Sequence, residues 1–331
     1  MSGVLEPVVR GYPAAIPDCP QVIYMGLQKT GSAYLRGYFS AHPDIVWTRE
    51  AGRLLTADEA GGYLDAARRA RDAALAEKRA RRANPSLWID MQESLALGYR
   101  VLPGRQWRAD VMFSTDDRAA AAHLDLAPPD FFTSLQSLCP ESRVLLTIRN
   151  QADWLFSNYH HFIHYLPAER SAFPDFLETI EGKILAATAH FDRLVEKLHA
   201  AFGRERVLVL PLEFLERDGE GALRQLSEFL GCAYVPFTPD RKDMNRGIDY
   251  RRGRGRDAIP VIARRGGPVR RLLQYLGHAL GFAGGKDAFT VPSKAALARE
   301  FGPGIAARYA PGNRRLGALI GRDVSALGYP V

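Results

Sequence analysis

Apolar positions along the chain fall into two rhythms. Four short runs, Gln21 to Met25, Leu87 to Ile89, Arg143 to Ile148 and Arg206 to Leu210, are compact, apolar or β-branched, and closed by polar or glycine-rich turns. Runs of that kind predict buried strands. Between them lie longer segments with helical spacing, such as Leu64 to Ala83 and Phe176 to Phe202. Strands separated by helices predict an α/β fold in three layers, a central parallel sheet flanked by helices. The strands spread evenly over the first two thirds of the chain, and no linker or repeat divides it. Residues 1–331 therefore read as one domain, with an α/β core over 20–215 and a mainly helical C-terminal part over 216–331.

Composition adds an exclusion. With 47% hydrophobic, 10% aromatic and 24% charged residues, the chain is neither disordered, collagen-like nor a coiled coil. Its 44 Lys and Arg against 37 Asp and Glu leave +7, and the excess is local. Residues 241–271 hold 11 basic and three acidic residues, so this stretch alone carries +8. One basic surface facing an anion is expected, not a protein that coats nucleic acid. The N-terminal stretch fits neither a secretory signal nor a transit peptide. No window approaches the ~20 apolar residues of a membrane span. A cytoplasmic location is expected. Cys19, Cys139 and Cys232 are odd in number and lack metal-ligand spacing, as small buried residues in a reducing compartment would.

The most informative segment is Val22-Ile23-Tyr24-Met25-Gly26-Leu27-Gln28-Lys29-Thr30-Gly31-Ser32-Ala33-Tyr34-Leu35. A strand runs into a glycine-containing turn, and a helix follows whose apolar face is Leu35, Tyr38 and Phe39. Free backbone N–H groups, the helix dipole, one lysine and two hydroxyls then surround a single point, which suits a phosphate or sulfate. A Walker loop requires its lysine after the second glycine. Here Lys29 precedes Gly31. The order Lys-Thr-Gly-Ser, with His42-Pro43 closing the helix, resembles the loop by which sulfotransferases hold the 5′-phosphosulfate of 3′-phosphoadenosine 5′-phosphosulfate (PAPS).

A second motif strengthens the resemblance. Strand Arg143 to Ile148 delivers Arg149 to its carboxyl end, where ligands sit in open parallel sheets, and Asn150 can cap the helix that follows. Arg149-Asn150-Gln151-Ala152-Asp153-Trp154-Leu155-Phe156-Ser157-Asn158-Tyr159-His160 resembles the family's Arg-Asn-Pro-x-Asp-x-x-x-Ser-x-Tyr-His motif, in which Arg and Ser hold the 3′-phosphate. Gln151 replaces the proline, which affects the shape of the turn. Asn313-Arg314-Arg315-Leu316 and Leu327-Gly328-Tyr329-Pro330 resemble the C-terminal segment of bacterial-type members. The resemblance implies a P-loop-like α/β fold. It also implies a PAPS-dependent sulfotransferase acting on a hydroxyl, or an amine, of a carbohydrate, glycolipid or small-molecule acceptor. Gln28, Lys29, Thr30, Gly31, Ser32 and Ala33 would hold the 5′ end, and Arg149 and Ser157 the 3′-phosphate. Asn245 or Arg246 would assist from the basic loop.

Sulfuryl transfer rests on positioning and charge stabilisation, so Lys29 would neutralise the leaving phosphate oxygen. No metal-binding constellation is visible and none is needed. A base must take the acceptor's proton, a carboxylate first among the candidates and a histidine also open. Glu50 is placed like the base of the glycan-modifying members. Glu93 follows the next strand, where small-molecule members keep a histidine. Asp90 is a third possibility. The rival readings are a P-loop-type nucleotide-dependent kinase and a catalytically inactive nucleotide-binding protein.

Other patterns have plainer readings. His160 and His164 lie four apart, a spacing that can hold a metal, but helix-surface or site-lining histidines are expected. The tract Arg251 to Arg256 is too short and too poor in aromatics for an RNA-binding segment. Pro268 to Phe282 is a basic amphipathic pattern that suits core packing or peripheral docking on an anionic membrane.

Overall fold

The computed structural model describes residues 18–48, 57–81, 83–91, 100–102, 105–108, 129–165, 171–239 and 291–331. Five strands form one parallel sheet: β1 (Val22–Gly26), β2 (Ile45–Thr48), β3 (Leu87–Met91), β6 (Arg143–Ile148) and β7 (Val207–Pro211), in the order β2-β3-β1-β6-β7. A separate antiparallel hairpin joins β4 (Arg100–Leu102) to β5 (Arg105–Arg108).

Alternation along the strands divides the core into two layers. Ile23, Met25, Val46, Trp88, Val144, Leu146 and Val209 face one side. There they meet α2 (Ala57–Ala80), α3 (Pro129–Leu138), α4 (Gln151–Tyr165), α7 (Phe191–Phe202) and the last helix, α10 (Lys294–Ile320). Val22, Tyr24, Ile45, Ile89, Leu145 and Leu208 face the other side, against α1 (Ser32–Ala41) and α9 (Gly219–Leu230). Apolar residues on both faces are what a parallel sheet covered by helices requires. The three-layer α/β fold is therefore as expected.

The strand order places the site. From β1 the chain crosses by α1 to β2 on one side, while β6 pairs directly on the other, Gly26 against Thr147. The order reverses between β1 and β6, and ligands bind at the carboxyl ends of strands flanking such a reversal.

Several boundaries differ from the sequence expectation. The short run Ile45–Thr48 is a strand that was not anticipated, an edge element of four residues. Arg206 belongs to a 3₁₀ turn and not to β7. The run from Phe176 to Phe202 is three helices: α5 (Phe173–Glu178), α6 (Ile180–Thr188) and α7. The first break comes at Thr179, whose hydroxyl caps α6 by accepting from Gly182 N–H, and a Cβ on Gly182 would lie 2.0 Å from the Phe176 carbonyl oxygen. α10 runs through Pro303 and Pro311 without ending.

The cysteines are free thiols, yet Cys19 and Cys139 are in side-chain contact. That contact and the charge of Arg68 hold the Cys19 thiol below its ordinary range. Among the described residues, no helix is long and apolar enough to cross a membrane.

Candidate active site

The loop after β1 is shaped by its own backbone and anchored by β6 and α4. Lys29 has φ 65°, an uncommon left-handed conformation for a side-chain-bearing residue, and Gly31 has φ 93°. Gly31 is required twice over, because a Cβ there would also lie 2.8 Å from Leu212 Cδ1. The buried Thr30 hydroxyl donates to the Leu27 carbonyl. With its only proton committed there, Thr30 must accept from Thr147 (2.7 Å), and Thr147 in turn accepts from the Tyr24 hydroxyl (3.0 Å). The Thr30 side chain is thus a pin holding the loop to β1 and β6. Its remaining capacity toward an anion is the backbone N–H.

Helix α1 then begins with no side-chain cap and no acidic residue in its first turn. Its leading N–H groups, at Ser32 and Ala33, remain available on the side where Lys29 stands. Trp154 of α4 donates to the Gln28 carbonyl at 2.7 Å, tying the loop to the second motif.

The turn after β6 is held from far away in the chain. Arg149 Nη1 donates to the Lys29 carbonyl at 3.3 Å. Asn150 caps α4, its side-chain oxygen accepting from Ala152 N–H, while its amide donates to the Gly328 carbonyl at 2.7 Å. Glu213, in the short helix α8 (Leu212–Arg217), accepts from Asn150 N–H at 2.7 Å and from the Tyr329 hydroxyl at 2.9 Å. Burial raises the Glu213 carboxyl above its ordinary value even against these donors and Arg149.

Gln151 is buried and exchanges amide hydrogen bonds with Asn313, at 2.6 and 3.2 Å, and Asn313 also donates to the Pro330 carbonyl. The helix still begins at Gln151, so the absent proline is answered by a side-chain pair reaching α10. The two C-terminal segments singled out in the sequence buttress the Arg149 turn.

Electrostatics mark the region between the two motifs. Lys29 is half-buried and its pKa is lowered, first by burial and then by the Arg149 charge. Lys294, the first residue of α10, is lowered by burial, by Arg149 and by Lys29, with Asp153 opposing. Three cations therefore share one neighbourhood. Among the described residues none of the three has a carboxylate within salt-bridge distance. Such a cluster is unfavourable until an anion enters it.

The remaining candidates divide. Ser157 lies on α4, buried, and its hydroxyl makes no hydrogen bond to another described residue. Asp90 is fully buried at the end of β3 and accepts from the Thr48 hydroxyl at 2.6 Å. His42 accepts from Asp44 N–H and so donates through Nε2 to the Ala233 carbonyl, a structural closure of α1. Tyr159 packs among Phe173 and Phe176 and donates to the Ser171 carbonyl. His160 donates to the Pro292 carbonyl at 2.9 Å.

Among the described residues no group of three His, Cys, Asp or Glu could hold a metal. Glu50, Glu93, Asn245, Arg246, the basic loop 241–271 and the amphipathic stretch 268–282 lie outside the described residues.

A protein-family model described as the sulfotransferase family matches residues 20–236. The chain belongs to the sulfotransferase family. In fold it is similar to a sulfotransferase from Alicyclobacillus acidocaldarius at 19% identity and TM-score 0.52, covering 94% of this chain and 99% of that one. Lower-scoring likenesses are a sulfotransferase domain from the curacin biosynthetic pathway and one from the Synechococcus PCC 7002 olefin synthase. The first has 12% identity and TM-score 0.40 over 69% of this chain and 81% of that one. The second has 17% identity and TM-score 0.35 over 88% and 98%. No curated protein matches the chain.

Sequence reasoning did not anticipate Lys294 near the two motifs, or Glu213 and the Gln151–Asn313 pair as supports of the Arg149 turn. The signal at Lys294 is faint: Pro292-Ser293 is a helix-start signature, with Ser293 accepting from Ala296 N–H.

Proposed function

We propose that this sulfotransferase moves a sulfuryl group from PAPS to a hydroxyl, or an amine, of a carbohydrate or glycolipid acceptor, by in-line transfer without a metal ion. The observation that carries the reading is the pairing of two anion-binding groups at the carboxyl ends of neighbouring strands β1 and β6. Lys29 and the open N-terminus of α1 stand at one, Arg149 and Ser157 at the other. Two such groups on adjacent strand ends are what a nucleotide phosphorylated at both its 5′ and 3′ positions would call for.

PAPS supplies the activated sulfuryl group. Lys29 Nζ stabilises the negative charge that develops on the departing phosphate oxygen. The N–H groups of Thr30 to Ala33 and the Ser32 hydroxyl orient the 5′ end, and Gln28 lends its place in the turn. Arg149 and Ser157 hold the 3′-phosphate, with Asn245 or Arg246 assisting. Glu50, or else Glu93, takes the proton from the acceptor as it attacks. A cytoplasmic location and peripheral contact with a membrane-borne acceptor fit this reading.

Labelled PAPS offered with a panel of glycan, glycolipid and small hydroxyl acceptors tests it. Label should pass to an acceptor in the presence of chelator. Lys29→Met should lower turnover by ~10²–10³-fold, the scale of losing one preorganised donor to a developing anion. Glu50→Gln should lower turnover by ~10²–10⁴-fold while leaving nucleotide affinity intact, as for a general base. Mg²⁺-dependent phosphoryl transfer from ATP would support a kinase instead. Tight nucleotide binding with no transfer to any acceptor would support a binding protein.

A further inference from the structure

Two cysteines meet at the amino ends of β1 and β6, the opposite end of the sheet from Lys29 and Arg149. The entries to the two strands are clamped together there. Arg143 N–H donates to the Gln21 carbonyl at 2.9 Å, and the Ser142 hydroxyl donates to the Pro20 carbonyl. Cys19 stands immediately before that clamp. On the other side Cys139 closes α3, its N–H donating to the Leu135 carbonyl and its carbonyl accepting from Ser142 N–H, both at 3.1 Å.

Cys19 Sγ donates to the Leu138 carbonyl at 3.4 Å, across 119 residues of chain. That oxygen belongs to the peptide unit leading into Cys139, and the two thiol side chains touch. With the Cys19 proton directed at Leu138, the Cys139 thiol is the donor between the sulfurs. Cys232, the third thiol, packs in the other core layer, across the sheet.

The two partners differ in the way an attacking and a resolving thiol must. Cys19 is partly exposed, whereas Cys139 is fully buried. Helix α2 brings cations to Cys19: Arg68 Nε donates to the Asp18 carbonyl at 3.1 Å, and Arg71 lies 3.7 Å from the Asp18 carboxylate. The Cys139 contact and the Arg68 charge hold the Cys19 thiol down at about 7, against burial and the Asp18 charge. The same contact and burial push the Cys139 thiol up. An accessible thiolate reacts with oxidants, and a buried thiol beside it can only follow.

We propose that Cys19 and Cys139 form a reversible oxidation site, at which a hydroperoxide converts the pair to a disulfide that staples the entry of β1 to that of β6. The Cys19 thiolate attacks one peroxide oxygen of hydrogen peroxide, the O–O bond breaks, and the departing hydroxide takes up a proton as water. The Cys139 sulfur then attacks the sulfenic sulfur of Cys19. The S–O bond breaks, and hydroxide leaves with the Cys139 proton as a second water. Two electrons pass from the sulfur pair to the peroxide, and a dithiol reductant returns them. The bond would close a chain of roughly 120 residues, long enough for a cross-link to restrict the unfolded state strongly.

Reduced wild-type protein treated with a small excess of hydrogen peroxide tests this. Titratable thiols should fall from three per chain to one, and dithiothreitol should restore all three. Peptide mapping without reductant should show the segments holding Cys19 and Cys139 linked. The melting temperature of the oxidised protein should rise by about 5 °C, the scale of closing so long a loop in a chain of this size. In Cys139→Ala the same treatment should stop at a Cys19 sulfenic acid that dimedone traps, with no rise in melting temperature. Cys19→Ser should keep both of its thiols. Mapping of the wild type decides the linkage whether or not either variant folds. Three thiols surviving treatment, oxidation confined to Cys19, a linkage through Cys232 or between two chains, or a linked pair with no gain in melting temperature overturns the proposal.

Discussion

The two segments proposed to hold the nucleotide are built by different means. The loop after β1 has its turn set by a short stretch, Thr30 bonding to Leu27 and Gly31 taking the left-handed conformation that lets α1 start, and is then tied to the second segment through Thr147, Arg149 and Trp154. The turn after β6 has as local bonds the Asn150 cap and the first helical bond, from Trp154 N–H to the Asn150 carbonyl, and takes its side-chain anchors from distant chain. Asn150 reaches Gly328 across 178 residues and Gln151 reaches Asn313 across 162. A phosphate loop can thus be encoded by a short motif, whereas an arginine delivered by a strand end needs the C-terminus to hold it at its angle. It follows that damage at the two places should look different. A fault in the loop acts on the spot, while a fault in α10 reaches the site through a buried amide pair.

Gly31→Ala attacks the local device and should have the largest effect. A side chain at φ 93° costs about 1–3 kcal/mol, and the 2.8 Å approach to Leu212 adds overlap. Both the melting temperature and nucleotide affinity should drop in the same variant. Retention of both would show that the loop geometry is not what binds.

Asn313→Ala attacks the remote device. It leaves the Gln151 amide and the Pro330 carbonyl without their partner, at about 1–3 kcal/mol for an unsatisfied buried group. Gln151→Pro, which restores the family's usual residue at a helix position that tolerates proline, should nevertheless destabilise, because Asn313 is then stranded. The double variant should cost less than the two single losses added. Thermal melts of the four proteins measure this. A stabilising Gln151→Pro would contradict the account.

The same contrast explains what could be read in the sequence. The Lys29-Thr30-Gly31-Ser32 loop and the run from Arg149 to His160 were legible because each is contiguous, with chemistry and spacing in one window. The parallel sheet was legible because its strands are compact apolar runs. Ile45–Thr48 escaped because four residues at a sheet edge give little pattern. The continuous reading of 176–202 failed because a single hydroxyl cap at Thr179 outweighs apolar periodicity. Glu213, Tyr329 and Asn313 were not legible as a site, since their roles come from contacts across 63, 116 and 162 residues.

Acidification should weaken both devices by a smaller amount. His42 closes α1 and His160 fastens α10 to α4, and burial holds both below the ordinary histidine value, as it does His190 and His199. The unfolded chain then binds these protons first. Their contribution is complete above about pH 6.5 and is lost as pH falls through the depressed values. Glu213, with a raised carboxyl, works in the opposite direction, but as one group against four. The melting temperature should therefore fall between about pH 7.5 and 5.5, and a rise over that range would contradict the assigned burial of the four rings.

The central claim is that the two segments together recognise one nucleotide through both of its phosphate positions. Calorimetry of adenosine 3′,5′-bisphosphate with chelator present, on the wild type and on Arg149→Ala, tests it most directly. The account predicts metal-independent binding far tighter than for ATP or ADP. It predicts a loss of about 2–3 kcal/mol in Arg149→Ala, with adenosine 5′-phosphosulfate affected much less. Equal weakening of the two ligands, or Mg²⁺-dependent ATP binding of equal or greater strength, would contradict it.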